Sequence, residues 1–433
     1  MADISTTLIH KTGIHHVGVG YTYSYSTITA ALAVCEPTDC IVIHNSITEA
    51  VTIDKSVTIK CTYPATCNSC TFAITSGTVV FDDFNANDCP FTLTNSCVVK
   101  VKSSVLYSCG FTCTSSTLNI SSSTIDLAIP IVLTDSTCNV IGGVLAANTL
   151  IGGALFSPSG ASTLIIDSVK CFSAKEFITG RVDSTANILI KNSVIACTPM
   201  NAPTIYTRSL SSLTIENTVI NLENTTSYLI AIFEVGVSTC VVSLRNLLIK
   251  SDFNLTKRIG YLVNYATAAP ASPVAITINN VTIPPILNQV FDENKYLGTA
   301  PVSTLEKFTV TEIPTSYTIP CGVMGGTIQA PLVASTITLP DSTLYNLDKC
   351  ITIESNPTGA SSGNLVIQLP DGITGRSIVA VGAPLRRVAT SIVAGGTLTI
   401  TGLGSTAKGI LYLTGSTTNW TILGVINSAT APV

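Results

Sequence analysis

Apolar and polar residues alternate in a short phrase that returns about ten times between residues 51 and 283. Its clearest copies are NILIKNSVI from Asn187, SLTIENTVI from Ser212 and AITINNVTI from Ala275, with VVSLRNLLI from Val241 and TLIIDSV from Thr163 as looser versions. Within a copy the apolar positions have a period of two, which predicts a strand with one buried face. The copies recur every 19 to 34 residues, which predicts a stack of similar coils, a parallel β-helix. No single coil can bury its inward row, whereas stacked coils bury a continuous one and satisfy each strand's backbone groups above and below.

A polar anchor can be set in each copy, at Lys55, Asp83, Ser103, Ser122, Gly142, Asp167, Asn192, Asn217, Asn246 and Asn280. Two residues before the anchors stand Ile53, Phe81, Val101, Ile120, Val140, Ile165, Ile190, Ile215, Leu244 and Ile278, all apolar. Four before, Thr163 alone departs from the pattern. The expected fold places Ile165, Ile190 and Ile215 in one interior row. Asn192, Asn217, Asn246 and Asn280 are expected to stack at one turn, where asparagine tolerates the left-handed conformation and its amides can bond along the stack. Cys61, Cys89 and Cys109 each follow their anchor by six residues, so they are expected at one position of consecutive coils.

Along the chain, residues 1–22 read as an irregular arm. STITAALAVC, from Ser26 to Cys35, has apolar residues at Ile28, Ala31, Leu32 and Cys35, the spacing of a short helix that would plug the open end of the first coil. Residues 23–290 form the predicted β-helix and 291–308, where Pro and charge come together, the exit and linker. From 309 to 433, short alternating segments such as STITLP, CITIES, NLVIQLP and GTLTITGLG are divided by Gly, Pro, Asn and Asp. They predict an antiparallel β-sandwich or jelly roll. The whole chain is therefore expected to be all-β.

The order YSTITAAL, then CIVIHNSITEAVTI, then KSVTIKC, from Tyr25 to Cys61, resembles the opening of pectin-lyase-like right-handed parallel β-helices. In these a short helix precedes a strand, a turn with an acidic residue, and two more strands. The likeness extends over about residues 21–290 as architecture and is confined to the opening coil as motif; Asn45 and Ser46 stand where that turn usually has glycine. The closing TGSTTNWTILGV, around Trp420, resembles the terminal strand of β-sandwich domains on structural proteins of phages and large DNA viruses.

Composition narrows the function. Apolar residues are 46% and charged residues 11%, with net charge -4 and mean hydropathy +0.50. This argues against a nucleic-acid partner. Either partner chains cover part of the surface, or Thr and Val simply suit strands. The first residues lack a signal-peptide core, and no stretch approaches the ~20 apolar residues of a membrane span, so neither secretion by the usual route nor membrane insertion is expected.

The fifteen cysteines admit three readings: buried thiols, disulfides between coils, or zinc, for which Cys67-x-x-Cys70 with nearby Cys61 supplies half a site. His10, His15, His16 and His44 precede the first clear repeat. They belong to a polar tail, with a metal site as the alternative if that tail folds back.

Glycan-cleaving β-helix enzymes need clustered carboxylates, with Arg, Lys or His, on an exposed strand face. Their Asp-His and Gly-His-Gly patterns are missing here, and no histidine follows His44. The candidates by type, Asp82 with Asp83, Asp167 with Asp183 and Glu216 with Glu223, read as solvated turn carboxylates. No catalytic residue, cofactor or metal is therefore assigned. The resemblance implies a structural protein of a virion, an exterior spike, fibre or vertex component serving assembly or host attachment. Its expected partners are copies of itself, as a homotrimer, the capsid proteins, and host-surface glycan. A glycan-cleaving tailspike with carboxylates shared between subunits, and a glycan-binding adhesin, are the alternatives.

Overall fold

The computed structural model describes residues 13–19, 25–147, 154–173, 176–180, 185–198, 204–207, 210–223, 229–235, 241–251, 259–265, 275–283 and 287–291. Beyond these it describes the segments 303–306, 309–310, 316–319, 327–330, 335–339, 350–355, 363–368, 377–380, 390–393, 397–403, 409–415 and 419–427. The fold is all-β: among the described residues the only α-helix is Ile28–Leu32. The chain divides into two compact units, residues 1–200 with 204–214, and residues 201–203 with 215–433.

In the first unit the strands form three ladders, all parallel. The first ladder runs Ile14–Val17, Cys40–Ile43, Val57–Cys61, Thr78–Asp82, Val98–Lys102, 117–121, 137–141, Thr163–Asp167 and 187–191. The second begins with Cys67–Asn68 and Asn85–Asn87 and reaches Val194–Cys197. The third begins with Ala50–Ile53 and Thr71–Ile74 and reaches Ile205–Thr207. One repeat thus contributes a strand to each ladder, as in Thr78–Asp82, Asn85–Asn87 and Pro90–Leu93.

The alternation seen in the sequence is the alternation of burial. Val79, Phe81, Val99, Val101, Leu118 and Ile120 point inward at 0 or 1% exposure, and each such side chain contributes about 1.5–3 kcal/mol through removal from water. The polar doublets after these strands have a definite task. In Ser103-Ser104, Ser122-Ser123 and Asn192-Ser193, the first residue takes positive φ (47°, 49° and 52°) and turns the chain. The second is buried, and its bonds are alike in all three doublets: Ser104 Oγ donates to the Lys102 carbonyl (2.6 Å) and accepts the Phe84 N–H (3.1 Å), and Ser123 Oγ donates to the Ser121 carbonyl (2.8 Å) and accepts the Ser104 N–H (3.1 Å). Ser193 does the same with the Lys191 carbonyl and the Val169 N–H. Backbone groups that leave the ladder at the corner are thereby satisfied.

Three expectations are corrected here. The anchor at Lys55 belongs elsewhere, because Ile59 pairs with Phe81 and the Cys61 N–H donates to the Asp83 carbonyl; Cys61, not Lys55, is the counterpart of Asp83. The sequence does not separate them, since VTIDK and VTIKC carry the same apolar alternation. At TLIIDSV the register is one residue later than expected. Ile166 pairs with Ile190 and is fully buried, as is Leu164, while Ile165 pairs with Leu189 and faces outward. Ser168, at φ 59°, takes the turn place expected of Asp167. The irregular arm is also revised: Ile14–Val17 within it is a strand, paired with Cys40–Ile43, and Val17 is fully buried. His10 lies outside the described residues.

In the second unit, Val241–Ser251 pairs in parallel with Ala275–Ile283, and Leu229–Val235 with Ile259–Tyr265, which pairs with Leu287–Phe291. The expected linker 291–308 contains the strand Ser303–Glu306, parallel to 276–279. The expected antiparallel region from 309 opens with parallel pairs, Thr309–Val310 on 282–283 and on 327–328, then Thr327–Ala330 on 352–355. Ser316–Thr318 and Ser335–Thr338 extend a second parallel set to 365–368. Among the described residues the antiparallel pairs are Cys350–Ser355 with Gly409–Gly415, Gly363–Gln368 with Thr397–Leu403, Thr390–Val393 with 397–400 and Gly409–Gly415 with Asn419–Asn427, while Ser377–Ala380 runs parallel to 419–422. A period of two fits a strand in either direction, so the segments are legible in the sequence and their partners are not.

Candidate functional site

Of the expected asparagine stack, Asn217, Asn246 and Asn280 bond in succession within the second unit, while Asn192, in the first unit, bonds to Asp167. Asn192 Nδ2 donates to Asp167 Oδ1 (2.9 Å). Asn246 Nδ2 donates to Asn217 Oδ1 (2.8 Å) and Asn280 Nδ2 to Asn246 Oδ1 (2.9 Å). Asn217, Asn246 and Asn280 have φ of 48°, 51° and 55°. Their side chains are engaged with one another, which is a structural role.

The candidate carboxylates meet cations of neighbouring repeats. Lys60 Nζ lies 2.5 Å from Asp82 and 4.0 Å from Asp83, Lys191 Nζ lies 3.2 Å from Asp167, and Arg245 lies 3.6 Å from Glu216. Asp183 lies outside the described residues. The Asp167 carboxyl is held below its ordinary range, first by the Asn192 amide and then by Ser168 and Lys191, against the opposing effect of burial. Its stabilising effect is therefore present above the unfolded carboxylate pKa of ~3.9 and is lost as pH falls through the lower folded value. Asp167→Asn is expected to cost no more than ~1 kcal/mol at neutral pH, with the difference between the two melting curves closing as the solution is acidified below the folded value. A difference that grows on acidification contradicts this.

The cysteine expectation needs one exchange. Phe72 pairs with Phe91 and Pro90 with Gly110, which puts Cys70, Cys89 and Cys109 at one level of three consecutive repeats. Cys61 instead closes a strand of the first ladder, because Lys55 is not the counterpart of Asp83. Cys61, Cys67, Cys70, Cys89 and Cys109 are not joined in disulfides. Several of these thiols donate to carbonyls of the adjoining repeat: Cys61 Sγ to Asn85 (3.7 Å), Cys70 Sγ to Ile47 (3.4 Å) and Cys89 Sγ to Cys67 (3.3 Å). Thiol donation from Cys67 and then Cys89 pulls the Cys70 pKa down, while Cys67 and Cys89 are pushed up.

The densest collection of chemistry lies at the N-terminal end of the first unit, and local structure fixes it closely. Thr27 caps the helix by accepting the Ala30 N–H (3.1 Å). The Glu49 carboxylate accepts the Ile28 N–H (2.5 Å), the Thr29 N–H (3.2 Å) and the Thr29 hydroxyl (2.9 Å), the favourable placement of an anion at a helix N-terminus. At the other end Lys55 Nζ donates to the Leu32 and Cys35 carbonyls, both at 3.1 Å. The segment that carries Cys35 is thus tied down on both sides.

Against it lies the buried His15, with Nε2 2.8 Å from Asp39 Oδ2. The Glu36 N–H also donates to Asp39 Oδ2 (2.9 Å). Donor atoms of His15, Cys35 and Asp39 all lie within 4.8 Å of one another. His15 Nδ1 is buried with no hydrogen-bond partner among the described residues. The His15 hydrogen bond, followed by the Glu36 N–H, holds the Asp39 carboxyl below its usual range against burial. Burial, and then the Asp39 charge, pushes the Cys35 thiol up to about 11, which leaves it protonated and a poor nucleophile at neutral pH. Close by in the chain, His16 Nδ1 and His44 Nε2 are 2.8 Å apart and His44 Nδ1 is 3.2 Å from the Thr62 hydroxyl. Burial and then His16 lower the His44 pKa.

The histidines are visible in the sequence as a group. Cys35 reads there only as part of the apolar helix face, and nothing in the pattern singles out Asp39. The Cys35-to-Asp39 spacing becomes meaningful only once Ile14–Val17 is known to pair with Cys40–Ile43, which brings His15 alongside.

Comparison of the chain with protein-family models, with curated proteins and with solved structures finds no match. Among the described residues, no helix is long and apolar enough to cross a membrane.

Proposed function

We propose that the chain is a right-handed parallel β-helix, closed by a C-terminal β-domain, and that it serves as a structural component of a virus particle. In this reading it is an exterior spike, fibre or vertex element that works through assembly and host attachment, not through catalysis. Its partners are copies of itself, in a homotrimer, and the capsid proteins on which it stands.

One observation carries the non-enzymatic part. Asp82, Asp167 and Glu216 each face a lysine or arginine of a neighbouring repeat, so none of them stands as one of an open carboxylate pair. The parallel ladders and the left-handed polar corners support the β-helix; the virion setting rests on the resemblances of the opening coil and the closing strand.

Incubating the full-length protein with polysaccharides rich in uronic acids, and with neutral ones, tests the proposal. No new reducing ends and no unsaturated products are expected from the wild type or from Asp82→Asn, Asp167→Asn and Glu216→Gln. Chain cleavage that disappears in any of these variants would establish a glycan-degrading enzyme instead.

A further inference from the structure

The N-terminal cluster contains a donor set that the structural reading does not use. We propose that His15, Cys35 and Asp39 form a binding site for a zinc-class divalent cation, one that pins the first strand to the helix segment.

The three side chains combine an imidazole nitrogen, a thiol sulfur and a carboxylate oxygen, the ligand types that zinc takes. They come from two stretches of chain, the strand with His15 and the turn from Cys35 to Asp39, brought within 4.8 Å by the pairing of Ile14–Val17 with Cys40–Ile43 and by a helix held at both ends. The set is enclosed: His15 and Cys35 are 2% and 4% exposed, and Asp39, with 17% of its side chain exposed, gives the site its solvent side. Burial of polar groups calls for compensation, and here it is incomplete, because His15 Nδ1 has no partner among the described residues. A dication would balance a thiolate and a carboxylate in this enclosed place.

Binding is charge-balanced. The Cys35 thiol loses its proton to solvent as the sulfur–metal bond forms, His15 ligates as the neutral ring, and Asp39 is already ionised. Three protein ligands leave a fourth position for water. Cys67 and Cys70, despite their two-residue spacing, do not belong to any group of three or more such donors among the described residues.

The test is titration of the reduced, chelator-treated full-length protein with cobalt(II), which reports thiolate ligation by charge-transfer absorption. The wild type is expected to take up one equivalent with such a band. Cys35→Ser should abolish the band, and His15→Gln and Asp39→Asn should weaken binding by about ten-fold or more. The double variant Cys67→Ser/Cys70→Ser should leave it unchanged. Should the cluster variants fail to fold, the wild type still decides: bound cobalt or zinc must slow alkylation of Cys35 by iodoacetamide, followed by peptide mass spectrometry. A missing band, a band that survives in Cys35→Ser or vanishes only in the Cys67/Cys70 variant, or a Cys35 alkylation rate indifferent to metal would overturn the proposal.

Discussion

Phe91→Ala is expected to lower the unfolding free energy by about 3–5 kcal/mol. Phe91 is the middle of three stacked rings, with centroids 4.9 Å from Phe72 and 4.8 Å from Phe111. It also meets the edge of Phe81 at 5.3 Å. All four rings are at most 1% exposed. Removal would open a cavity shared by three consecutive repeats, and parallel ladders on either side leave little room for the rings to collapse into it. Phe91→Leu keeps most of the volume and should cost clearly less. Urea denaturation of the three proteins side by side checks this; equal midpoints for Phe91→Ala and the wild type would show that these rings do not form a common core.

Gly143→Ala is expected to cost about 2–4 kcal/mol, from the strain of a left-handed residue together with steric overlap. Gly143 has φ of 88°, and a β-carbon there would fall 2.2 Å from the Ser123 carbonyl oxygen and 2.7 Å from its nitrogen. Both obstacles are backbone in the adjoining repeat, so neither can rotate away. Its neighbour supplies the control. Gly142 also has positive φ, 67°, but a β-carbon there meets nothing within 4 Å. Gly142→Asn reproduces the residue found at the corresponding corner at Asn192 and should change stability by no more than ~0.5 kcal/mol. Thermal melts of the two variants should separate widely, and similar melting temperatures would mean that the corner is not packed as described.

The repeat is legible because it is written in two independent signals that coincide, inward apolar residues at period two and a polar corner residue able to take positive φ. Asp83, Ser103, Ser122, Asn192, Asn217, Asn246 and Asn280 stand out this way, and each has the left-handed conformation. Where one signal is doubled, the register slips. Ile165 and Ile166 are both apolar, so alternation alone does not say which faces inward. VTIDK and VTIKC both alternate, so the pattern puts the first corner at Lys55 although the ladder aligns Cys61 with Asp83. The misplacement of Cys61 follows directly from that ambiguity, and Cys70 takes its level in the thiol stack. The N-terminal cluster is illegible for a different reason. His15, Cys35 and Asp39 share no periodic pattern, and only strand pairing brings them together. Strand direction beyond residue 309 is hidden too, since nothing in a short alternating segment such as STIT or CITIE distinguishes a parallel partner from an antiparallel one.

Assembly with itself is what most sharply separates a structural role from that of a solitary enzyme or lectin-like domain. Outward-facing Ile129, Ile141 and Phe172 are 43%, 53% and 42% exposed, on a chain with only 11% charged residues. Partner copies covering apolar surface of this kind should bury upwards of ~1,000 Å² per pair. Sedimentation equilibrium of the full-length protein at micromolar concentration and low salt measures this directly. A single species with the mass of three chains is expected; a species that stays at the single-chain mass of 45.1 kDa across the concentration range contradicts it.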